Sequence, residues 1–155
     1  SLEVEPNFDD TSPVLEETAH PVMATAGTNN MQSLIDRDNL FGDSINFRGG
    51  QRALLRYGLE NTRVYVPGMA PAVGADSASS VYGAFLDNRL STTNQISLTH
   101  IGGFLSASKE VGYTYGTMET LEGDLQQSFR TSYMRLWRFT ASNEWKIAVE
   151  VLSPF

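Results

Sequence analysis

Two side chains in this 155-residue sequence join reactive chemistry to apolar neighbours. Asp38 lies three and four positions from Leu34, Ile35 and Phe41, inside the apolar stripe of a helical pattern. A carboxylate there has two uses. It can carry a proton, because an apolar setting favours its neutral form. It can also neutralise an arginine that ties helix to sheet, with Arg52 and Arg63 as candidate partners; this second use is the commoner. His100 shares a strand face with Ile96 and Leu98. Imidazole changes charge near neutral pH and can act as a general base, although a lone histidine on an apolar face more often serves structure. Asp38 and His100 are thus the candidate catalytic residues.

Aromatic and basic residues supply candidate ligand contacts. Tyrosine hydroxyls can donate hydrogen bonds to a carbonyl or oxyanion, and aromatic rings also pack well in strands. Tyr65, Tyr115, Arg135 and Trp137 are the expected ligand contacts; Tyr115 and Trp137 are chosen because both follow the alternation of central strands. Arg135 falls in a large apolar row with Tyr133, Trp137 and Phe139. A guanidinium buried alone is costly. It must meet a carboxylate, reach water, or stand at the rim of a pocket.

Other patterns are excluded. Ser106-Ala-Ser-Lys109 has the spacing of certain acyl enzymes but lacks their companion motifs and the helix that sets Lys over Ser. His20 and His100, without any cysteine, make no zinc site. Arg48-Gly-Gly-Gln-Arg52 is not followed by Lys-Ser/Thr and is no phosphate loop. No cofactor and no metal are expected. A net charge of −7 argues against nucleic acid and anionic lipid as partners. No run approaches the roughly 20 apolar residues of a membrane span, so no membrane insertion is expected.

These residues need elements to position them. Residues 1–27 read as an extended acidic arm, and residues 28–155 as one domain. Thr28 is placed to cap a helix running to about Phe41, where Gly42 interrupts it. A short helix follows Gly49-Gly50, then a strand over 62–68, then a helix over about 75–87. From residue 93 the period changes from helical to two. Gly123-Asp124 marks a turn, and a long hairpin turns at Ala141-Ser142-Asn143. Its return strand is expected to place Trp145, Ile147, Val149 and Val151 on one face. Helices first and antiparallel strands last predict an α+β domain, with the helices packed on one face of a curved sheet.

The hairpin also carries a resemblance. Leu136-Trp137-Arg138, a short turn and Trp145-Lys146-Ile147 resemble the last hairpin of SnoaL-like and ketosteroid-isomerase-like proteins of the nuclear transport factor 2 superfamily. Gly112-Tyr113-Thr-Tyr115-Gly116 and the Pro67-Gly68 loop are similar to other parts of that pattern, over residues 28–155. Asn143-Glu144 departs from it, standing where glycine is common. The resemblance implies a cystatin-like cone: helices in the concave face of a strongly bent antiparallel sheet, a cavity at the open end, and a homodimer through the sheet's outer face. It implies an Asp or His base where a member is an enzyme. The Asp-Arg-Asp constellation of the epoxide-hydrolysing relatives cannot be assembled, because the last strands carry Arg135 without a matching inward Asp.

The expected function is a bacterial SnoaL-like domain that binds a small apolar or carbonyl-containing ligand. The alternative is a small isomerase, dehydratase or cyclase using Asp38 or His100 with tyrosine donors. Either acid or base bonded to a tyrosine in an enclosed cavity would favour the enzyme; structural salt bridges in a filled cone would favour the binder. The acidic arm and the initial serine suggest an exported protein with its targeting segment removed, the cytoplasm being the alternative.

Overall fold

The computed structural model describes residues 29–87, 95–120 and 129–155. The acidic arm, Thr28, His20 and the Gly123-Asp124 turn lie outside them. Three helices lead: α1 (Met31–Arg48), α2 (Gly50–Tyr57) and α3 (Ala75–Leu86). The strands are β1 (Gly58–Tyr65), β2 (Ala72–Val73), β3 (Ile96–Leu105), β4 (Val111–Thr120), β5 (Arg130–Phe139) and β6 (Trp145–Pro154). They form one sheet in the order β2-β1-β6-β5-β4-β3. The four last strands pair antiparallel, as their alternation predicts. β1 joins them parallel to β6, so the sheet is mixed. The helices pack on its concave face, and the α+β cone is the observed architecture.

Two helix boundaries differ from the expectation. Asn30, not Thr28, caps α1: its side chain accepts from the Ser33 amide, and the Ser33 hydroxyl accepts from the Asn30 amide. Gly42 does not end the helix, which continues to Arg48. A Cβ on Gly42 would sit 2.8 Å from Leu98, so glycine is there to let α1 lie close on β3. At the far end, Asp87 caps α2 from the end of α3, accepting from the Gly50 amide at 2.6 Å.

The core lies between the helices and the inner rows of β4, β5 and β6. Phe41 packs against Tyr57 and Tyr82 with ring centroids 5.5 and 6.1 Å apart. Tyr133, Arg135, Trp137 and Phe139 all point inward and are buried, as period two requires. β6 breaks its alternation. Leu136 pairs with Val149 but Trp137 pairs with Ile147, which leaves Ala148 as an extra residue. This bulge shifts the inward row from Trp145 and Ile147 to Glu150 and Leu152. Val149 and Val151, expected beside Trp145, instead lie on the opposite face.

Candidate functional site

Asp38 projects from α1 into the concave face, where strands β3, β4 and β5 converge on it. Its Oδ1 accepts from Arg135 Nη1 at 2.6 Å and from Thr114 Oγ1 at 2.9 Å. Its Oδ2 accepts from Tyr133 Oη at 2.6 Å and lies 3.0 Å from His100 Nδ1. Four partners occupy the acceptor sites of one carboxylate. The expected arginine partner, Arg52 or Arg63, is replaced by Arg135, which is 97 positions away in sequence.

Arg135 meets the carboxylate its position demanded, and a second one besides. Its Nε donates to Glu150 Oε1 at 2.6 Å, and Glu150 Oε2 accepts from Tyr82 Oη at 2.5 Å. The guanidinium also lies 3.8 Å from the Tyr133 ring centroid and 4.6 Å from that of Phe41. An acid–arginine–acid constellation therefore exists, as Asp38–Arg135–Glu150. Sequence reasoning missed Glu150 because strict alternation sends it outward, and the bulge at Ala148 turns it in. The one available signal was the unpaired Arg135 itself, which required a buried acid.

Trp137 belongs to the same cluster. Its Nε1 donates to Thr114 Oγ1 at 2.9 Å, and Thr114 in turn donates to Asp38. Arg135 and Trp137, both expected as ligand contacts, are fully buried and spent on side chains of the protein. Tyr65 and Tyr115 are not brought to this site. Both stand exposed on the outer face, where Tyr115 Oη would lie 2.8 Å from a Cβ on Gly102. The reason is steric. The inner face of β4 carries Gly112, Thr114, Gly116 and Met118, small enough near α1 that Leu34 lies 2.7 Å from where a Gly112 Cβ would stand. The bulky tyrosines face out.

The electrostatics follow from burial. Burial alone would raise the proton affinity of Asp38. The charge of Arg135 and the hydrogen bonds from Tyr133, His100 and Arg135 outweigh it and hold the carboxyl below its usual range. For Glu150 burial wins over Arg135 and Tyr82, and its proton affinity is raised. Burial, then the neighbouring Glu150, push the Tyr82 phenol up. Asp38 is thus a fixed anion with no free lone pair, unsuited to carrying a proton itself. It accepts the Nδ1–H of His100, which fixes the imidazole tautomer and leaves Nε2 for other partners. His100 keeps 14% of its side-chain surface exposed, whereas Asp38 and Arg135 keep none.

Elsewhere, an open, polar-lined cleft runs between Gly58–Asn61, Ala75–Ser77 and the β5–β6 turn, with Lys146 beside it. It includes no member of the Asp38 cluster. Ser106–Lys109 forms the β3–β4 turn, with Lys109 at φ 62°, and builds no Ser–Lys site. Among the described residues, no group of three or more His, Asp or Glu could hold a metal ion. No described helix is long and apolar enough to cross a membrane.

No protein-family model matches the chain, and no curated protein does. Solved structures do match. A ketosteroid isomerase-like protein from Erwinia carotovora atroseptica SCRI1043 aligns with a TM-score of 0.61 at 16% identity, covering 84% of this chain and 98% of that one. A domain of unknown function with a cystatin-like fold from Nostoc punctiforme PCC 73102 gives 0.63 at 8% identity, covering 84% and 80%. An NTF-2 like protein of unknown function from Shewanella oneidensis MR-1 gives 0.58 at 14% identity, covering 77% and 95%. At such identities the likeness is one of fold and leaves function to the site. The chain has a cystatin-like fold, shared with these ketosteroid isomerase-like and NTF-2 like structures.

Proposed function

We propose that this domain binds a small, largely apolar molecule bearing a hydroxyl or carbonyl oxygen, with His100 as its polar contact. One observation carries the reading. His100 is the member of the buried cluster that keeps appreciable exposure, and its Nδ1 is already taken by Asp38. Nε2 is therefore the group left to meet a ligand: an acceptor for a hydroxyl when the ring is neutral, a donor to a carbonyl when it is protonated. The mutual salt bridges support a binder, since Asp38, Arg135 and Glu150 hold one another in place. Ligand-observed NMR with a panel of small cyclic alcohols and ketones tests it. Binding that disappears in His100→Phe is expected. Absence of binding, or equal binding by His100→Phe, would overturn the reading.

A second reading has its own observation. The Asp38–His100 pairing orients an imidazole as a general base, and Tyr133 reinforces the same Asp38 oxygen. In that reading Nε2 takes a proton from the carbon next to a ketone, and the C–H electron pair moves onto the carbonyl oxygen as an enolate. Reversal in D2O returns deuterium to the carbon. Exchange of those protons by the wild type and not by His100→Phe supports catalysis; no exchange with a ketone shown to bind leaves binding alone.

We also propose that two copies pair through the outer face of the sheet. The register aligns Tyr65, Val151, Met134 and Tyr115 in one row across four strands. Val149, Leu136, Tyr113 and Phe104 form the next row. Phe104, Tyr115 and Met134 remain exposed in the single chain. Apolar patches of this breadth ordinarily mark an interaction site.

A further inference from the structure

We infer that Glu150 and Tyr82 are positioning residues for His100, acting on it through Arg135 and Asp38. The inference rests on the reading that His100 is the ligand-facing group, and it adds two residues that never approach the ligand. The contacts form one unbroken series through five elements. Tyr82 on α3 donates to Glu150 on β6 at 2.5 Å. Arg135 on β5 donates from Nε to Glu150 and from Nη1 to Asp38 on α1, both at 2.6 Å. Asp38 then accepts from His100 on β3 at 3.0 Å.

One guanidinium charge is shared between two carboxylates in a space closed to bulk solvent, since Asp38, Arg135, Glu150 and Tyr82 all have no exposed surface. Charges interact strongly there, and hydrogen bonds in series polarise one another. What Glu150 draws from Arg135 is therefore not available to Asp38. With Glu150 ionised, Asp38 is less fully neutralised and holds the His100 Nδ1–H more tightly. That makes Nε2 a better acceptor. With the Glu150 charge removed, Arg135 serves Asp38 alone, the Nδ1–H bond weakens, and Nε2 becomes a poorer acceptor. Tyr82 tunes the same balance by donating to Glu150. The remaining donors on Asp38, Thr114 and Tyr133, are unchanged by either substitution.

The test reads the His100 ring without any ligand. In 1H–15N spectra of histidine-labelled protein at fixed pH, the Nδ1–H resonance of His100 is assigned by its loss in His100→Phe. Glu150→Gln, which keeps shape and removes charge, is expected to move that resonance upfield. Tyr82→Phe is expected to shift it by more than its linewidth. Tyr57→Phe, a comparable core phenol that packs on Phe41 outside the series, is expected to leave it in place. An unmoved resonance in folded Glu150→Gln overturns the inference. So does an equal displacement by Tyr57→Phe and Tyr82→Phe, which would mean that packing alone is being read. Should Glu150→Gln not fold, the comparison of the two tyrosine variants decides. Failure of the alcohols and ketones to bind would sink the ligand reading and leave this coupling standing or falling by its own spectra.

Discussion

Asp38 and Arg135 lie on facing layers of the cone, and their side chains meet at 2.6 Å with neither exposed. A second contact of the same length fixes the other side of the guanidinium on Glu150. Arg135 thus lies between two buried acids. Arg135→Met keeps most of the volume and leaves both carboxylates without the guanidinium. Breaking a buried pair this way costs about 3–5 kcal/mol. Chemical denaturation should show a loss of that size, and a loss under about 1 kcal/mol would refute the assignment of Arg135 as the central tie. Arg135→Lys should fall between, because a single ammonium cannot reach two acids through a planar fork.

The two acids should respond oppositely to pH. Asp38 is held below its unfolded proton affinity, despite burial, by Arg135 and by bonds from Tyr133 and His100. Its contribution to stability is therefore complete above the unfolded value, about pH 4, and is lost as pH falls through the lower folded value. Glu150 is raised by burial. Its contribution is present in acid and declines as pH rises from the unfolded value through the higher folded one. Denaturation midpoints followed against pH should show a shallower acid loss in Asp38→Asn. Glu150→Gln should remove the decline on the rising side. An unchanged acid limb in Asp38→Asn would show that Asp38 is not the group being protonated.

The sequence made the inner row of β5 legible, because period two and the size of Tyr133, Trp137 and Phe139 leave one buried face. It also made Arg135 legible as a group in need of an acid. The acid itself was hidden. Glu150 is turned inward by a single extra residue, Ala148, and nothing in Lys146-Ile-Ala-Val-Glu150 signals where pairing slips. The outward position of Tyr115 is hidden for a related reason. Alternation tells which residues share a face but not which face is inside, and β4 reverses the usual rule by turning glycines toward α1. Gly42 reads as a helix end because glycine is a poor helix former; its role is the approach of Leu98.

Gly116 illustrates the same inversion and yields a prediction. A Cβ there would meet Tyr133 Oη at 2.8 Å and clash with the Thr99 carbonyl. Gly116→Ala must displace the edge strand or the phenol that donates to Asp38. Overpacking of this kind costs about 1–3 kcal/mol, although alanine is no worse than glycine for strand conformation. Gly112→Ala, whose Cβ would meet the Leu34 side chain and the Phe104 carbonyl, should destabilise as well. A Gly116→Ala protein as stable as the wild type would mean that Tyr133 is not held against Asp38 by this close approach.

The outer face offers the last test, and its logic is the reverse of the interior's. Met134 lies at the middle of the row that runs from Tyr65 to Tyr115, is 47% exposed, and alternates with the inward-facing Tyr133 and Arg135. Met134→Glu therefore puts a charge on a surface that is solvated in the single chain. Surface substitutions of this kind change folding stability by about 0.5 kcal/mol or less. If two copies pair through this face, the same charge is buried twice at the symmetric contact, and like charges meet where apolar side chains did. Sedimentation analysis should then find a dimer for the wild type and a monomer for Met134→Glu, with circular dichroism unchanged and a denaturation midpoint that rises with protein concentration for the wild type alone. A wild type that sediments as a monomer at high concentration, or a Met134→Glu dimer as tight as the wild type, would place the contact elsewhere. The patch would then need another occupant.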